Sequence, residues 1–226
     1  MSLFNCLYES HRYTYCVCSD FILISGTCSV CIHYLDLPKN RLQRKCEQLE
    51  NLITAILELA RPGDIIVDFC SGGVCFTDFF FYVFQCNLDY FIGKFDIGMC
   101  LHACGVATDM MLKQCLQNNA SFVICPCCYG SIQNTHLISY PTSNYYKNAG
   151  ISNKVSTCTL MKSANTYISV VGKYCANLVD TDRAALAKEH GYTVTLCSLK
   201  PLTCTPKNNL LIGVAPKSNT REDPTS

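Results

Sequence analysis

Three times along this chain a short apolar run stops abruptly in a glycine-bearing turn, and no other feature limits the possible folds so strongly. DIIVDFC (64–70) leads into Ser71, Gly72 and Gly73; FDIGMCL (95–101) leads into His102, Ala103, Cys104 and Gly105; SFVIC (121–125) leads into PCCYG (126–130). Continuous apolar runs of this length are what strands covered on both faces need. Between them lie stretches of helical period. Leu42, Cys46, Leu49, Ile53, Ile56 and Ala60 recur at steps of four and three, closed by Pro62 and Gly63. A second helix is expected over about 107–118, with Thr108 as its N-cap and Met111, Leu112 and Cys115 facing inward, and a third over about 181–190, closed by Gly191. Residues 131–165 read as a long polar loop with one helical piece.

Alternating strands and helices imply an α/β sheet with mostly parallel strands. The end of the chain departs from that rule. Runs at 192–199 and 209–215 are separated by nine residues, too few for a parallel crossover, so an antiparallel pair should close one edge. A doubly wound sheet with an antiparallel last strand is the pattern of Rossmann-like class I methyltransferases. Residues 216–226 read as a disordered polar tail.

Composition narrows the setting. Eighteen Lys and Arg against seventeen Asp and Glu give a net charge of +1, so no global field drives nucleic-acid or membrane binding. No stretch carries the roughly 20 mainly apolar residues of a membrane span. There are nineteen cysteines. Their number is odd, many lie inside apolar runs (Cys70, Cys100, Cys125), and the opening MSLFNCLYESHRYTYC lacks a leader pattern, so reduced, intracellular thiols are expected.

Ligands of open α/β sheets bind beyond the carboxyl ends of the strands. Asp68 can hold a ligand hydroxyl or brace its own loop. His102 can act in acid–base chemistry, donate to a substrate or serve the fold. Cys125 and Cys128 have a C-x-x-C spacing with Cys127 between them; Cys28, Cys31, Cys104 and His102 are further candidates to complete a metal site, and plain buried or redox-sensitive thiols are the weightier alternative. Lys39, Arg41, Arg44 and Lys45 read most simply as a solvated helix face, an RNA-contacting face being the alternative.

PGDIIVDFCSGG, FDIG-x-x-LHACGVATD, FVICPCCYGSIQNT, LVDTDRAALAKEHGYTV and PKNNLLIGV together resemble the methyltransferase-like half of the glutathione S-transferase C-terminal domain-containing proteins, over about residues 38–215. A strand-end His-x-Cys-Gly followed by Ala-Thr-Asp also occurs in a eukaryotic tRNA 2′-O-methyltransferase family. The resemblance implies a cytoplasmic class I S-adenosylmethionine-dependent methyltransferase domain with an undefined methyl acceptor, RNA among the candidates. On that reading Asp68, Ser71, Gly72, Gly73 and Gly105 belong to the cofactor site, and His102 and Cys104 take the place of the catalytic strand-end motif.

Two departures stand out. Residues 1–37 show no sign of the helical N-terminal region of that family. Only Val74–Lys94 separate Gly73 from the next strand, whereas a helix, a strand with an acidic end for the ribose, a second helix and a third strand need more than about 30 residues. The aromatic run VCFTDFFFYVF (74–84) reads as a bridge across an internal deletion. It is a candidate to fill the vacant strand position, and cofactor binding is expected to be weak or absent.

Overall fold

A computed structural model describes residues 7–10, 13–16, 22–25, 38–69, 82–83, 93–129, 138–150 and 170–216. In chain order the elements are β1 (Leu7–Ser10), β2 (Tyr13–Cys16), β3 (Ile22–Ser25), α1 (Lys39–Leu59), β4 (Ile65–Asp68), β5 (Tyr82–Val83), β6 (Ile97–Ala103), α2 (Ala107–Asn118), β7 (Ser121–Pro126), α3 (Asn144–Asn148), α4 (Val170–Glu189), β8 (Thr193–Ser198) and β9 (Asn209–Val214). β1 and β2 form an antiparallel pair of their own.

The five strands expected from sequence lie side by side in the order β4-β6-β7-β9-β8, and β3 and then β5 extend the sheet beyond β4. The strands from β5 to β7 run parallel. β9 is antiparallel to both of its neighbours, β7 and β8, so the last strand lies inside the sheet and β8 forms the edge. From β4 the chain goes out to β5 and returns to β6 on the other side of β4. Strand order therefore reverses between β4 and β6, the usual crevice of an open α/β sheet.

Side chains of β6 and β7 alternate between two cores. Ile97, Met99, Leu101, Val123 and Cys125 point to the face covered by Leu52, Ala55 and Ile56 of α1. Cys100, Phe122 and Ile124 point to the opposite face, against Met111, Leu112 and Cys115 of α2 and Ala184 and Ala187 of α4. Burial on both sides is why these strands read as unbroken apolar runs. α2 sits close on β6: a Cβ on Gly98 would lie 2.5 Å from the Cys115 sulfur and 3.0 Å from Met111 Cε. Gly213 leaves room for its cross-strand partner Phe122, whose ring would approach a Cβ there to 2.1 Å.

Four expectations need correction or refinement. Thr108 is not a cap: Val106 holds that position with no side-chain cap bond, and the Thr108 hydroxyl donates to the Ala103 carbonyl at 2.8 Å instead. The third helix begins at Val170 rather than near residue 181, because Cys175, Ala176 and Val179 add a buried stripe against Tyr129 and Tyr140. The position beside β4 is taken by β3, not by the bridging run, whose Tyr82–Val83 pairs on the outer side of β3. Within 131–165 the described structure includes the single-turn helix α3. The tail beyond Pro216 lies outside the described residues. Among the described residues no helix is long and apolar enough to cross a membrane.

Candidate functional site at the carboxyl ends of the strands

β4 ends at Asp68, buried at 3% exposure. β6 ends less regularly. Its register against β7 shifts between Leu101 and Ala103, and His102 at the shift takes φ 66°, left-handed backbone that favours glycine. A bulge of this kind re-aims a side chain at the rim of a sheet. The turn continues through exposed Cys104 to Gly105 (φ 60°), whose amide donates to the Cys128 carbonyl at 3.0 Å and ties the ends of β6 and β7 together.

Burial, followed by the charges of Lys45 and Lys207, pushes the His102 imidazole down to about 4, so it is neutral at pH 7. Lys45 is half-buried. Burial lowers its pKa, against the opposing pull of Asp68, Cys125 and Cys127. Through Lys45 the ends of β4, β6 and β7 share one electrostatic rim. This corrects the reading of the basic run as wholly solvated: Arg41 and Arg44 are exposed, but Lys45 is turned to the site.

Three sulfurs meet there. Cys104 and Cys127 lie 3.1 Å apart and Cys127 and Cys128 3.5 Å apart, with all three sulfurs within 4.8 Å of one another. Lys207 donates to the Cys128 sulfur at 3.8 Å. Burial alone would raise the Cys128 thiol, but hydrogen bonds from Cys104 and Cys127 and the Lys207 charge outweigh it and leave the thiol below its usual range. Burial and the neighbouring sulfurs push Cys127 far up. Cys128 thus ionises before Cys127.

Cys125 does not join them. It points into the core under α1, where burial pushes its thiol up to about 12. The C-x-x-C spacing is therefore not the working pair, because a strand residue and two residues beyond the strand end face different ways. His102 also stands outside the sulfur group. Ser71, Gly72, Gly73, Cys28 and Cys31 lie outside the described residues.

Behind the rim lies a charged cluster that motif reading did not single out as a site. Arg183 of α4, 1% exposed, reaches Asp109 of α2 through Nε at 2.9 Å and Nη2 at 2.7 Å, and Asp180 through Nη1 at 2.9 Å. Tyr129 donates to Asp180 at 2.5 Å, Asn209 donates to the same carboxylate at 2.7 Å, and Tyr140 donates to Asp109. Burial works against the Arg183 charge, but Asp109, Tyr140 and Asp180 override it and hold the guanidinium protonated well above its usual range. The signal was present in the sequence: Asp109 is the acid of LHACGVATD, and Asp180 and Arg183 belong to LVDTDRAAL.

No family model matches the chain, and no solved structure matches it. Named relatives do. The chain is 41% identical to the Drosophila melanogaster glutathione S-transferase C-terminal domain-containing protein homolog over 227 residues, covering 81% of this chain and 38% of that protein. The Mus musculus glutathione S-transferase C-terminal domain-containing protein is 40% identical over 216 residues, covering 77% and 34%. Its Homo sapiens counterpart is 38% identical over 219 residues, covering 79% and 34%. The chain therefore spans little more than a third of the length of these relatives. At close to 40% identity, its homologues are glutathione S-transferase C-terminal domain-containing proteins.

Proposed function

We propose that this chain is a methyltransferase-type Rossmann domain whose S-adenosylmethionine site is incomplete, so that the fold persists with little or no methyl-transfer activity. The sheet supports the first half of this reading: an antiparallel last strand and a reversal of strand order beside Asp68 are features of that fold.

One observation carries the second half. The strand beside β4 brings Ser25 into register with Asp68, and Gly26 and Thr27 follow it in sequence. A carboxylate at the end of that strand would grip the ribose hydroxyls of an adenosyl ligand. The residue at that register position is a serine, which carries no charge, and hydrogen bonds involving a charged group are about twice as strong as neutral ones. Among the described residues, no carboxylate stands beside Asp68 at the end of β3 to complete an adenosyl cradle. The alignments point the same way. The fly alignment runs over 227 residues and takes in 81% of this 226-residue chain, which supports the reading of a shortened cofactor region.

Calorimetric titration of the purified chain with S-adenosylmethionine and with S-adenosylhomocysteine tests this. The expected result is no saturable heat, corresponding to a dissociation constant weaker than about 1 mM. A micromolar constant, or transfer of a labelled methyl group to RNA or to lysate protein that Asp68→Ala abolishes, overturns it. The cytoplasm is the proposed location.

A further inference from the structure

We propose that Cys104, Cys127 and Cys128 form a three-thiolate site for a soft divalent cation of the zinc type, set on the rim where β6 and β7 end. The inference stands on the sulfur geometry and does not depend on the methyl-donor reading. With zinc–sulfur bonds near 2.3 Å, the sulfurs of a tetrahedral site lie about 3.8 Å apart. Here the separations are 3.1 and 3.5 Å for two pairs and no more than 4.8 Å for the third. Small rotations about the thiol side chains bring all three to bonding distance of one ion.

The backbone already holds the two turns together through the Gly105 amide and the Cys128 carbonyl. Only the thiol torsions remain to be ordered when the ion binds. Soft sulfur donors select zinc-like ions over magnesium and calcium, which need oxygen ligands.

Charge supports the assignment. Three thiolates around a divalent ion leave a net charge of −1, and binding releases a proton from each thiol that was protonated. Lys207, 3.8 Å from Cys128, offsets that charge, and Lys45 interacts electrostatically with Cys127. Cys104 is exposed and Cys127 buried. Three protein ligands with one side open to water leave a fourth position for a small molecule, the arrangement of a reactive rather than a closed structural centre.

The test uses the whole chain, purified under reducing conditions without chelator, with its zinc content measured and the metal-free chain then titrated with zinc and with cobalt(II). The expected result is one ion per chain and, for cobalt, a thiolate charge-transfer band with the visible bands of a tetrahedral site. Cys104→Ser and Cys128→Ser replace residues that are not fully buried, and each should weaken zinc binding by more than about tenfold; Lys207→Met should weaken it by about tenfold. Cys197→Ser, at an exposed thiol on β8, should leave binding unchanged. The proposal is overturned by zinc below about a tenth of an ion per chain after reconstitution. It is also overturned by binding that survives the Cys104→Ser/Cys128→Ser pair in a folded chain, or by a Cys104–Cys127 disulfide that persists under reduction and excludes metal.

Discussion

Around Arg183 two buried carboxylates share one guanidinium, and Tyr129, Asn209 and Tyr140 donate to them. Around Cys127, three thiols crowd one another, two lysines approach from different elements, and Cys104 is open to solvent. Both clusters draw residues from the segments that follow β6 and β7. The first is complete without a ligand and its product is rigidity, since a satisfied buried network admits few alternatives. The second gathers soft donors without enclosing them, and what completes it must come from outside. A dense polar cluster is thus no sign of function by itself; whether it is closed decides.

Four measurements can break or sharpen that contrast. Arg183→Leu leaves Asp109 and Asp180 buried without their cation and should cost about 3–5 kcal/mol in urea unfolding, or prevent folding. A loss under 1 kcal/mol would show that the network is not closed. Tyr140→Phe removes one donor to the Asp109 carboxylate and should cost about 1.5–3 kcal/mol by the same assay.

The third measurement concerns pH. The folded His102 titrates near 4 and the unfolded side chain near 6.5, so the unfolded chain takes up a proton that the native chain refuses. Its contribution is complete above pH 6.5 and is lost as pH falls toward 4, by about 1–2 kcal/mol after allowance for partial exposure. His102→Asn keeps a residue tolerant of φ 66° and should flatten that part of the stability profile; an unchanged slope would remove His102 from the account. Smallest of all, Cys104→Ser should shift the metal-free stability by less than about 0.5 kcal/mol. A larger loss would mean that the rim, too, is structural.

Most of the sheet was legible in the sequence because strands buried on both faces leave unbroken apolar runs, and α2 was legible from the inward-facing Met111, Leu112 and Cys115 between two such runs. β3 was not. ILIS (22–25) is four residues long, has no periodic flank, and meets its partner β4 some forty residues later. The start of α4 was hidden by Val170, Val171 and Gly172, poor helix formers overridden by what the next turns bury. At the site, Cys104, Cys127 and Cys128 were all in view, but C-x-x-C spacing favoured Cys125 over Cys104, because spacing along a chain carries no information about which face of a sheet a residue takes. Lys45 was obscured by its exposed neighbours Arg41 and Arg44, although Lys45, Gln48, Leu52 and Ala55 continue one helical stripe whose last three members are buried.

The position of β9 also sets the order in which the molecule can be completed. Until Asn209–Val214 leaves the ribosome, β7 and β8 have an empty lane between them, Phe122 lacks the glycine its ring rests on, and Asp180 lacks the Asn209 amide. A nascent chain stopped short of that strand exposes two unpaired edges at once, the condition under which intermediates aggregate. Termination anywhere upstream of residue 209 should therefore yield insoluble product rather than a smaller working domain.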